Sequence, residues 1–261
     1  MIRFLSYLLL TTLFFSCKGD DNDVNDSLIT IKGHVDLFSE LLTFNRLPSS
    51  EGVIVTLLAA DGSVLSNYIT NDDGLFDFEI QNDGPFVMTF EKPMFSYYQT
   101  KEFEVEEKSK FFNVDLSEKS TIEILDFDIQ VIDPEENVAS YGNFTLKTTP
   151  LFTLGNEEFY KRHFRIFIHD SADISPENYT YSVIYSPFKD HSDLLEQTED
   201  YTLLKSTNNH WMVSGPSGTR LYYQVFGSTE HQIGYYNDHF DKYMYTSISE
   251  KGSEIVELII P

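Results

Sequence analysis

The amino-acid sequence predicts an all-β protein with two β-sandwich domains that follow a cleaved N-terminal signal peptide. Apolar and polar residues alternate in many short segments, and a period of two places successive side chains on opposite faces of a strand. Turn-forming Gly, Asn and Asp residues separate these segments. Aromatic residues make up 15% of the 261 residues, with 22 Phe and 16 Tyr, and aromatic side chains favour strands.

Residues 1–16 have the layout of a secretory signal peptide. Arg3 supplies a positive charge, and an almost unbroken apolar run over residues 4–15 follows it. A helix rises about 1.5 Å per residue and the hydrocarbon core of a membrane is about 30 Å thick, so this run is too short to span it. The segment therefore predicts an export signal and not a membrane span.

Cys17 is the only cysteine of the chain, so an internal disulfide is excluded. The segment Leu13-Phe14-Phe15-Ser16-Cys17 resembles a lipobox, with Phe14 in the place of the usual leucine. This resemblance, to surface lipoproteins of the Bacteroidetes type, implies that Cys17 is acylated, palmitate included, and that it anchors the chain in a lipid bilayer. Several acyl chains are needed because one chain anchors only marginally. The alternative is a stray cysteine in a discarded leader.

Residues 17–27 comprise the predicted lipidated cysteine and a disordered acidic tether. Val24 is the only large apolar residue in this stretch, so it cannot bury a core. A lysine followed by acidic residues resembles the short export signal of such lipoproteins. That resemblance implies an outer-membrane, lipid-anchored protein at the cell surface, and a periplasm-facing location is the alternative.

The charge balance restricts the partners. The chain carries 42 acidic and 18 basic residues, which gives a formal net charge of −24. A polyanion is repelled by nucleic acid and by anionic lipid headgroups. We therefore expect no nucleic acid among the partners.

The first domain is predicted over residues 28–117 as a sandwich of seven strands. The second segment, apolar on both faces, is expected to be central in its sheet. Asn71-Asp72-Asp73-Gly74 precedes the fourth segment, and its residue types are those of a hairpin turn. It does not have the alternating oxygen ligands and the distant glutamate of an EF-hand calcium loop, so we interpret it as a turn. The seven segments are 29–35, 53–59, 64–70, 75–80, 86–90, 103–105 and 111–116.

Three parts of this domain together resemble the carboxypeptidase-regulatory-like domain. They are the strand Ile31-Lys32-Gly33-His34-Val35, the strand Gly52-Val53-Ile54-Val55, and the stretch from Thr70 through the acidic turn to Phe76. The resemblance implies a prealbumin-like (transthyretin-like) sandwich that serves as an accessory module. Sugar-binding modules share this carbohydrate-binding-like fold, so glycan binding is permitted by analogy alone.

The loop over residues 37–50 is longer and more apolar than this family usually has. Phe38, Leu41, Leu42 and Phe44 share one face at helical spacing. The sequence therefore predicts a short helix packed over the end of the sandwich.

The second domain is predicted over residues 121–261, after a short polar link, Ser117-Glu118-Lys119-Ser120, that would permit hinge motion. A second sandwich is the simplest architecture, and the number of strands alone suggests an immunoglobulin-like one, with another sandwich as the alternative. The alternating segments are 127–131, 164–168, 179–183, 221–226 and 255–260.

No motif in the sequence predicts catalysis, a metal or a cofactor. His231 and His239, with Asp238 and Asp241 nearby, are the only cluster of histidines and carboxylates in one loop, and we interpret them as solvated. The stretch from Ser214 to Gly218 precedes a strand and lacks the context of a nucleophile elbow, so it is a turn. With 42 carboxylates, no glycosidase pair can be singled out. The protein is predicted not to be an enzyme.

Aromatic residues concentrate in the last fifth of the chain and are candidate ligand contacts. Exposed rings stack on sugar faces, although alternate tyrosines also fill and cover a sheet. Trp211, Tyr222, Tyr235 and Tyr236 are the candidates, within a set that also holds Tyr223, Tyr243 and Tyr245.

These observations predict a non-catalytic, membrane-anchored envelope lipoprotein that acts as a binding or adhesion module, with carbohydrate as its candidate ligand. The alternative is a structural or assembly accessory that contacts other envelope proteins. A glycan hydrolase is the weaker alternative.

Overall fold

The computed structural model describes most of the chain after the predicted tether, in nine stretches. Within them the chain forms sixteen strands and no helix, which confirms the predicted all-β fold class. Cys17, the tether and Trp211 lie outside the described residues. The described stretches are 28–40, 46–81, 84–106, 108–132, 141–148, 163–185, 198–203, 216–229 and 233–260.

The described residues contain no helix with the length and apolar character that a membrane crossing requires.

The first seven strands form two sheets. One has the order β4-β1-β7 and the other has the order β3-β2-β5-β6. β1 pairs in parallel with β7 and antiparallel with β4. The strands are β1 (Ile29–Phe38), β2 (Ile54–Ala59), β3 (Val64–Ile69), β4 (Leu75–Ile80), β5 (Phe86–Glu91), β6 (Tyr98–Gln99) and β7 (Ser109–Ser117).

Alternation along these strands builds the core between the two sheets. Buried and less buried residues alternate along β1, and its Ile31 and Val35 are fully buried. They belong to the same apolar cluster as Phe76 of β4 and Phe90 of β5. The rings of Phe76 and Phe90 meet at 5.6 Å across the sandwich. The sheets therefore face each other, as a sandwich requires.

The turn before β4 depends on glycine. Gly74 has a φ of 75°, its N–H donates to Asn71 O at 2.8 Å, and the N–H of Leu75 donates to Asn71 Oδ1 at 2.9 Å. A Cβ on Gly74 would lie 2.2 Å from Val35 O. This glycine supplies both the left-handed backbone and the close approach to β1.

Two local predictions in this sandwich are wrong. Residues 103–105 are not a strand, because Phe103 makes only an isolated bridge with Phe86, and β6 pairs with β5 instead. The predicted helix is wrong at Phe38. This residue belongs to β1, pairs with Ser117 of β7 and forms an isolated bridge with Arg46. The other three residues of that helix lie outside the described part of the chain.

The remaining strands form two further sheets and a hairpin. The sheets have the orders β12-β9-β8 and β11-β10-β13-β16, and β14 pairs with β15. The strands are β8 (Ile124–Ile132), β9 (Tyr141–Thr148), β10 (His163–His169), β11 (Tyr181–Tyr185), β12 (Thr198–Leu203), β13 (Arg220–Ser228), β14 (Gly234–Asn237), β15 (Lys242–Tyr245) and β16 (Val256–Ile259).

The second core lies between these two sheets. Phe127 and Ile129 of β8 pack in one cluster with Ile166 of β10 and Val225 of β13, which makes the second unit a sandwich as well. The opposite face of the β10–β13 pair carries a separate cluster that centres on Phe167 and Phe226. The rings of these two residues meet edge to face at 5.6 Å.

A half-buried carboxylate holds the link between the two sandwiches. Glu40 accepts hydrogen bonds from Ser120 Oγ at 2.9 Å, from the N–H of Thr121 at 2.7 Å and from Thr121 Oγ1 at 2.8 Å. Glu118 in turn accepts from the N–H of Glu40 at 3.0 Å. These bonds restrain the link that the sequence suggested as a hinge.

The β14–β15 hairpin makes a second set of contacts with the first sandwich. The ring of Tyr235 meets that of Tyr97 edge to face at 5.3 Å, and Lys101 Nζ lies 4.8 Å from the centre of the Tyr236 ring. Ile233, just before β14, packs against the core of the first sandwich. The two sandwiches therefore share a side-by-side junction.

Glu40 gives the junction a pH dependence. Burial raises the pKa of its carboxyl above 4.5, although the hydrogen bonds from Thr121 and Ser120 oppose the shift. The folded protein thus holds this proton to a higher pH than the unfolded chain. The stabilisation from protonation is fully present below the unfolded value and is lost as the pH rises through the folded pKa.

We expect the free energy of unfolding of the wild type, relative to that of a Glu40→Gln variant, to fall as the pH rises from the ordinary carboxyl range through the raised pKa of Glu40. Glutamine does not titrate, so the difference isolates this carboxyl. Urea unfolding at several pH values measures it, and Glu254→Gln, at an exposed position, is the control. A Glu40→Gln difference that does not change with pH would contradict the assignment.

Candidate functional site

A concave cleft lies at the junction of the two sandwiches, and we call it the junction cleft. Its volume is about 510 Å³, within the range of small-molecule sites. Tyr97 comes from the first sandwich, Lys119 comes from the link that follows it, and the other lining residues come from the second sandwich. The described residues that line it are Tyr97, Lys119, Ile174, Ser175, Pro176, Glu177, Gln224, Phe226, Tyr245, Thr246, Ile248, Ser249 and Glu250.

Backbone hydrogen bonds hold the first-sandwich wall in place. The N–H of Ser96 donates to Ser117 O at 2.7 Å, and the N–H of Ser117 donates to Ser96 Oγ at 3.0 Å. The N–H of Lys119 donates to Met94 O at 2.8 Å. Tyr97 and Lys119 are therefore fixed beside each other by the end of β7.

The second-sandwich wall is built on β13. Gln224 and Phe226 are two residues apart, so they point to the same side of the sheet. Phe226 packs in a buried cluster with Ile174 and Ile248, which also line the cleft. The amide of Gln224 donates from Nε2 to Ser253 O at 3.2 Å. This wall thus combines an apolar base with an oriented amide.

A buried arginine supports the ring of Tyr245. The guanidinium of Arg165 lies 3.5 Å from the centre of that ring, a cation–π contact, and its Nη1 donates to Ser182 Oγ at 3.2 Å. Burial lowers the pKa of Arg165, and Tyr245, Tyr179 and Tyr243 oppose that shift. An arginine remains charged in proteins, so this cation–π contact persists at physiological pH.

The Tyr97 hydroxyl stays neutral. It donates to Gln99 Oε1 at 3.1 Å. Burial, followed by the neighbouring Tyr235 and Glu91, raises the pKa of Tyr97 to about 12. The side chain therefore offers an uncharged ring and hydroxyl at physiological pH.

A second, smaller cleft adjoins the first, and we call it the outer cleft. Its volume is about 350 Å³. It shares Tyr97 and Lys119 with the junction cleft, so these two residues lie between them. Its described lining residues are Ile54, Glu91, Lys92, Pro93, Phe95, Ser96, Tyr97 and Lys119.

Three of the four candidate contact aromatics are described, and each of them contacts other side chains of the protein. Tyr222 packs against the Phe167 cluster, Tyr235 contacts Tyr97, and the hydroxyl of Tyr236 donates to Asp241. Tyr235 and Tyr236 are adjacent in β14, so they point to opposite faces and form no planar row. None of these tyrosines lines either cleft, and their role as ligand contacts stays a prediction.

The sequence pattern indicates one of the two cleft tyrosines as a candidate ligand contact and not the other. Tyr245 belongs to the aromatic set of the last fifth of the chain. Tyr97 does not, and the only local signal for it was the adjacent Tyr97-Tyr98 pair outside any alternating segment. Tyr223 of the same set is fully buried, as expected of a tyrosine that fills a sheet.

The predicted solvated loop of histidines is partly described. His239 is exposed, and its ring contacts that of Phe240 at 4.9 Å, while His231 lies outside the described residues. Across the described stretches, no three or more His, Cys, Asp or Glu side chains are grouped so that they could hold a metal ion.

No model of a known protein family matches this chain, and a search of curated proteins finds no match. Among solved structures, it is similar to a proposed carbohydrate-binding protein from Bacteroides uniformis, with 11% identity, 88% of this chain and 98% of that chain covered, and a TM-score of 0.28. It is also similar to a DUF3823 family protein from Parabacteroides merdae, with 13% identity, 88% of this chain and 98% of that chain covered, and a TM-score of 0.30. A third similar structure is the major pilin SpaA from Corynebacterium diphtheriae, with 10% identity, 88% of this chain and 69% of that chain covered, and a TM-score of 0.25. TM-scores this low assign neither a ligand nor a partner.

Proposed function

We propose that the protein is a lipid-anchored envelope protein that binds carbohydrate in the junction cleft without transforming it. The observation that carries the proposal is the composition of this cleft. Tyrosine rings, an apolar base, an amide, hydroxyls and side chains of both charges meet in one concavity of ligand size.

Carbohydrates suit such a lining because each sugar has an apolar ring face and many hydroxyls that both donate and accept hydrogen bonds. Tyr97 and Tyr245 provide rings with a polar end each. Glu177 and Glu250 accept hydrogen bonds and Lys119 donates them, and bonds to charged groups are the stronger ones. A ligand of one charge alone would find only part of this lining complementary.

The proposed anchor fits such a role. Acylation of Cys17 would hold the chain at the outer membrane, and the acidic tether would separate it from the bilayer. The formal net charge of −24 repels anionic headgroups. The cleft would then lie outside the bilayer, where a glycan could reach it.

We expect a glycan array to show binding by the detergent-solubilised lipoprotein, and a double Glu177→Gln and Glu250→Gln variant to bind at least about tenfold more weakly. Each hydrogen bond to a charged group contributes about 1.5–3 kcal/mol, and about 1.4 kcal/mol is a tenfold change. Both carboxylates are exposed, so the variant should fold.

The control is a double Glu102→Gln and Glu254→Gln variant, which removes the same charge at exposed positions away from both clefts. Equal loss in the two double variants would point to charge and not to the cleft. An array without any binding, together with envelope proteins recovered in a pull-down, would contradict the proposal.

One observation favours the assembly role as a second candidate. β3 lies at the edge of its sheet, contains no charged residue, and exposes Val64 by 59% and Ile69 by 66%. Natural edge strands usually carry charges that prevent pairing with another chain. Loss of the pull-down partners on Val64→Lys and Ile69→Lys substitution would support this role, and their retention would contradict it.

The hydrolase alternative has one feature in its favour, the presence of Glu177 and Glu250 in the same cleft. The acid of a glycosidase pair keeps its proton in an apolar environment, whereas both of these side chains are exposed. Incubation of array-positive glycans with the protein checks this alternative, because hydrolysis products would contradict simple binding.

A further inference from the structure

We infer that the ligand is an extended oligosaccharide of at least two sugar units, which lies across the junction cleft and the outer cleft with Tyr97 and Lys119 as shared contacts. This inference rests on the proposed function and specifies the length of its ligand.

The two clefts are adjacent and each is large enough to hold part of a ligand. Their volumes are about 510 Å³ and 350 Å³, and both lie in the range of single small-molecule sites. Tyr97 and Lys119 line both of them. One sugar unit in either cleft would therefore touch the same pair of side chains as a unit in the other.

Of the two shared residues, Tyr97 forms a fixed divider and not a mobile flap. The hydroxyl of Tyr97 is bonded to Gln99, its ring contacts Tyr235, and its carbonyl accepts a hydrogen bond from Thr246 Oγ1. Since the first sandwich and the second both hold Tyr97, the spacing between the clefts is set by the junction. A ligand that spans both clefts must match this spacing, which is a basis for selecting chain length.

Lys119 is suited to contact two units at once. No carboxylate in the described parts of the chain pairs with its ammonium, and lysine carries three donors on a flexible stem. Its backbone, by contrast, is fixed to Met94. The ammonium can therefore donate to hydroxyls on either side of the divider.

The outer cleft repeats the chemistry of the junction cleft. Its base contains the buried ring of Phe95, with Lys92 Nζ 5.5 Å from the ring centre. Glu91 adds an acceptor, and Lys92, whose Nζ also donates to Glu51 O, adds a donor of opposite charge. An apolar base beside charged hydrogen-bonding groups again suits a sugar unit, and two such sites in a row suit a chain of them.

Isothermal titration calorimetry of the lipoprotein in detergent tests the inference with glucose-, xylose-, mannose- and uronic-acid-based oligosaccharides of one to six units. We expect the affinity for the recognised series to rise at least about tenfold from one unit to the length that fills both clefts, and then to level off. A double Glu91→Gln and Lys92→Gln variant should lose about tenfold in affinity for the long ligands and keep the affinity for the shortest one.

The matched control is a double Glu106→Gln and Lys108→Gln variant, which neutralises one charge of each sign at exposed positions outside both clefts. Melting temperatures verify that all variants fold. If a variant does not fold, the dependence of wild-type affinity on oligosaccharide length tests the inference by itself. Equal affinity at all lengths, or an outer-cleft variant that behaves like the control, would overturn the inference and leave the proposed function standing. Absence of binding to every series would overturn both.

Discussion

A Cys17→Ala variant is expected to lose all of its acyl chains and to be either released from the membrane or held as the uncleaved precursor. Cys17 is the only cysteine of the chain, so no other thiol can take its place. Each buried CH₂ of an acyl chain contributes about 0.8 kcal/mol to membrane binding, so loss of several chains removes most of the binding energy of the proposed lipid anchor. Metabolic labelling with a fatty-acid probe, followed by membrane fractionation, measures the change.

A variant with Asp20, Asp21 and Asp23 replaced by asparagine is the matched control for the same segment. It should keep the label and the membrane fraction, because the acylated residue is intact. Fatty-acid label on the Cys17→Ala variant would show that the anchor lies elsewhere.

The largest expected effect on stability comes from a Phe76→Ala variant, which should lower the free energy of unfolding by about 3–5 kcal/mol. Phe76 is 2% exposed and its ring contacts those of Phe78 at 6.0 Å and Phe90 at 5.6 Å. A Cβ at Gly33 would lie 2.3 Å from Phe76 Cζ, so this ring also fills the space that the glycine leaves. Truncation removes these contacts and opens a cavity in the first core.

Urea unfolding measures this loss, with Phe111→Ala as the control. Phe111 lies on β7 and is 61% exposed, so the same truncation there should cost less than about 1 kcal/mol. Similar losses in the two variants would contradict the placement of Phe76 in the core.

The strands could be predicted where local pattern and turn chemistry agree. The segment 75–80 coincides with β4 because the glycine turn marks its start and three apolar residues share one face. The expected central position of the second segment also holds, since β2 lies between β3 and β5. Its two faces are nevertheless unequal, because the side chain of Ile54 is exposed.

Other elements depend on pairing between distant segments, which a local pattern does not contain. Phe38 has helical spacing to its neighbours, yet its backbone pairs with Ser117 of β7. β6 has only two residues, too few for a period to be visible. Residues 103–105 alternate as a strand does, yet in the described structure only an isolated bridge is formed there.

The candidate site could not be predicted for the same reason. Tyr97 comes from the first sandwich and Lys119 from the link, whereas Gln224 and Tyr245 come from the second sandwich. Their proximity results from the junction, which Glu40 and the β14–β15 hairpin hold together. The aromatic enrichment near the end of the chain indicated the region of Tyr245 and did not indicate its partners.

Hydroxyl-radical footprinting of the lipoprotein with the array oligosaccharide that binds most tightly would locate the ligand directly. The proposed function predicts protection of Tyr97 and Tyr245, while the exposed Tyr181 and Phe111 react at an unchanged rate. Protection of other residues, with Tyr97 and Tyr245 reacting as they do without ligand, would contradict carbohydrate binding in the junction cleft.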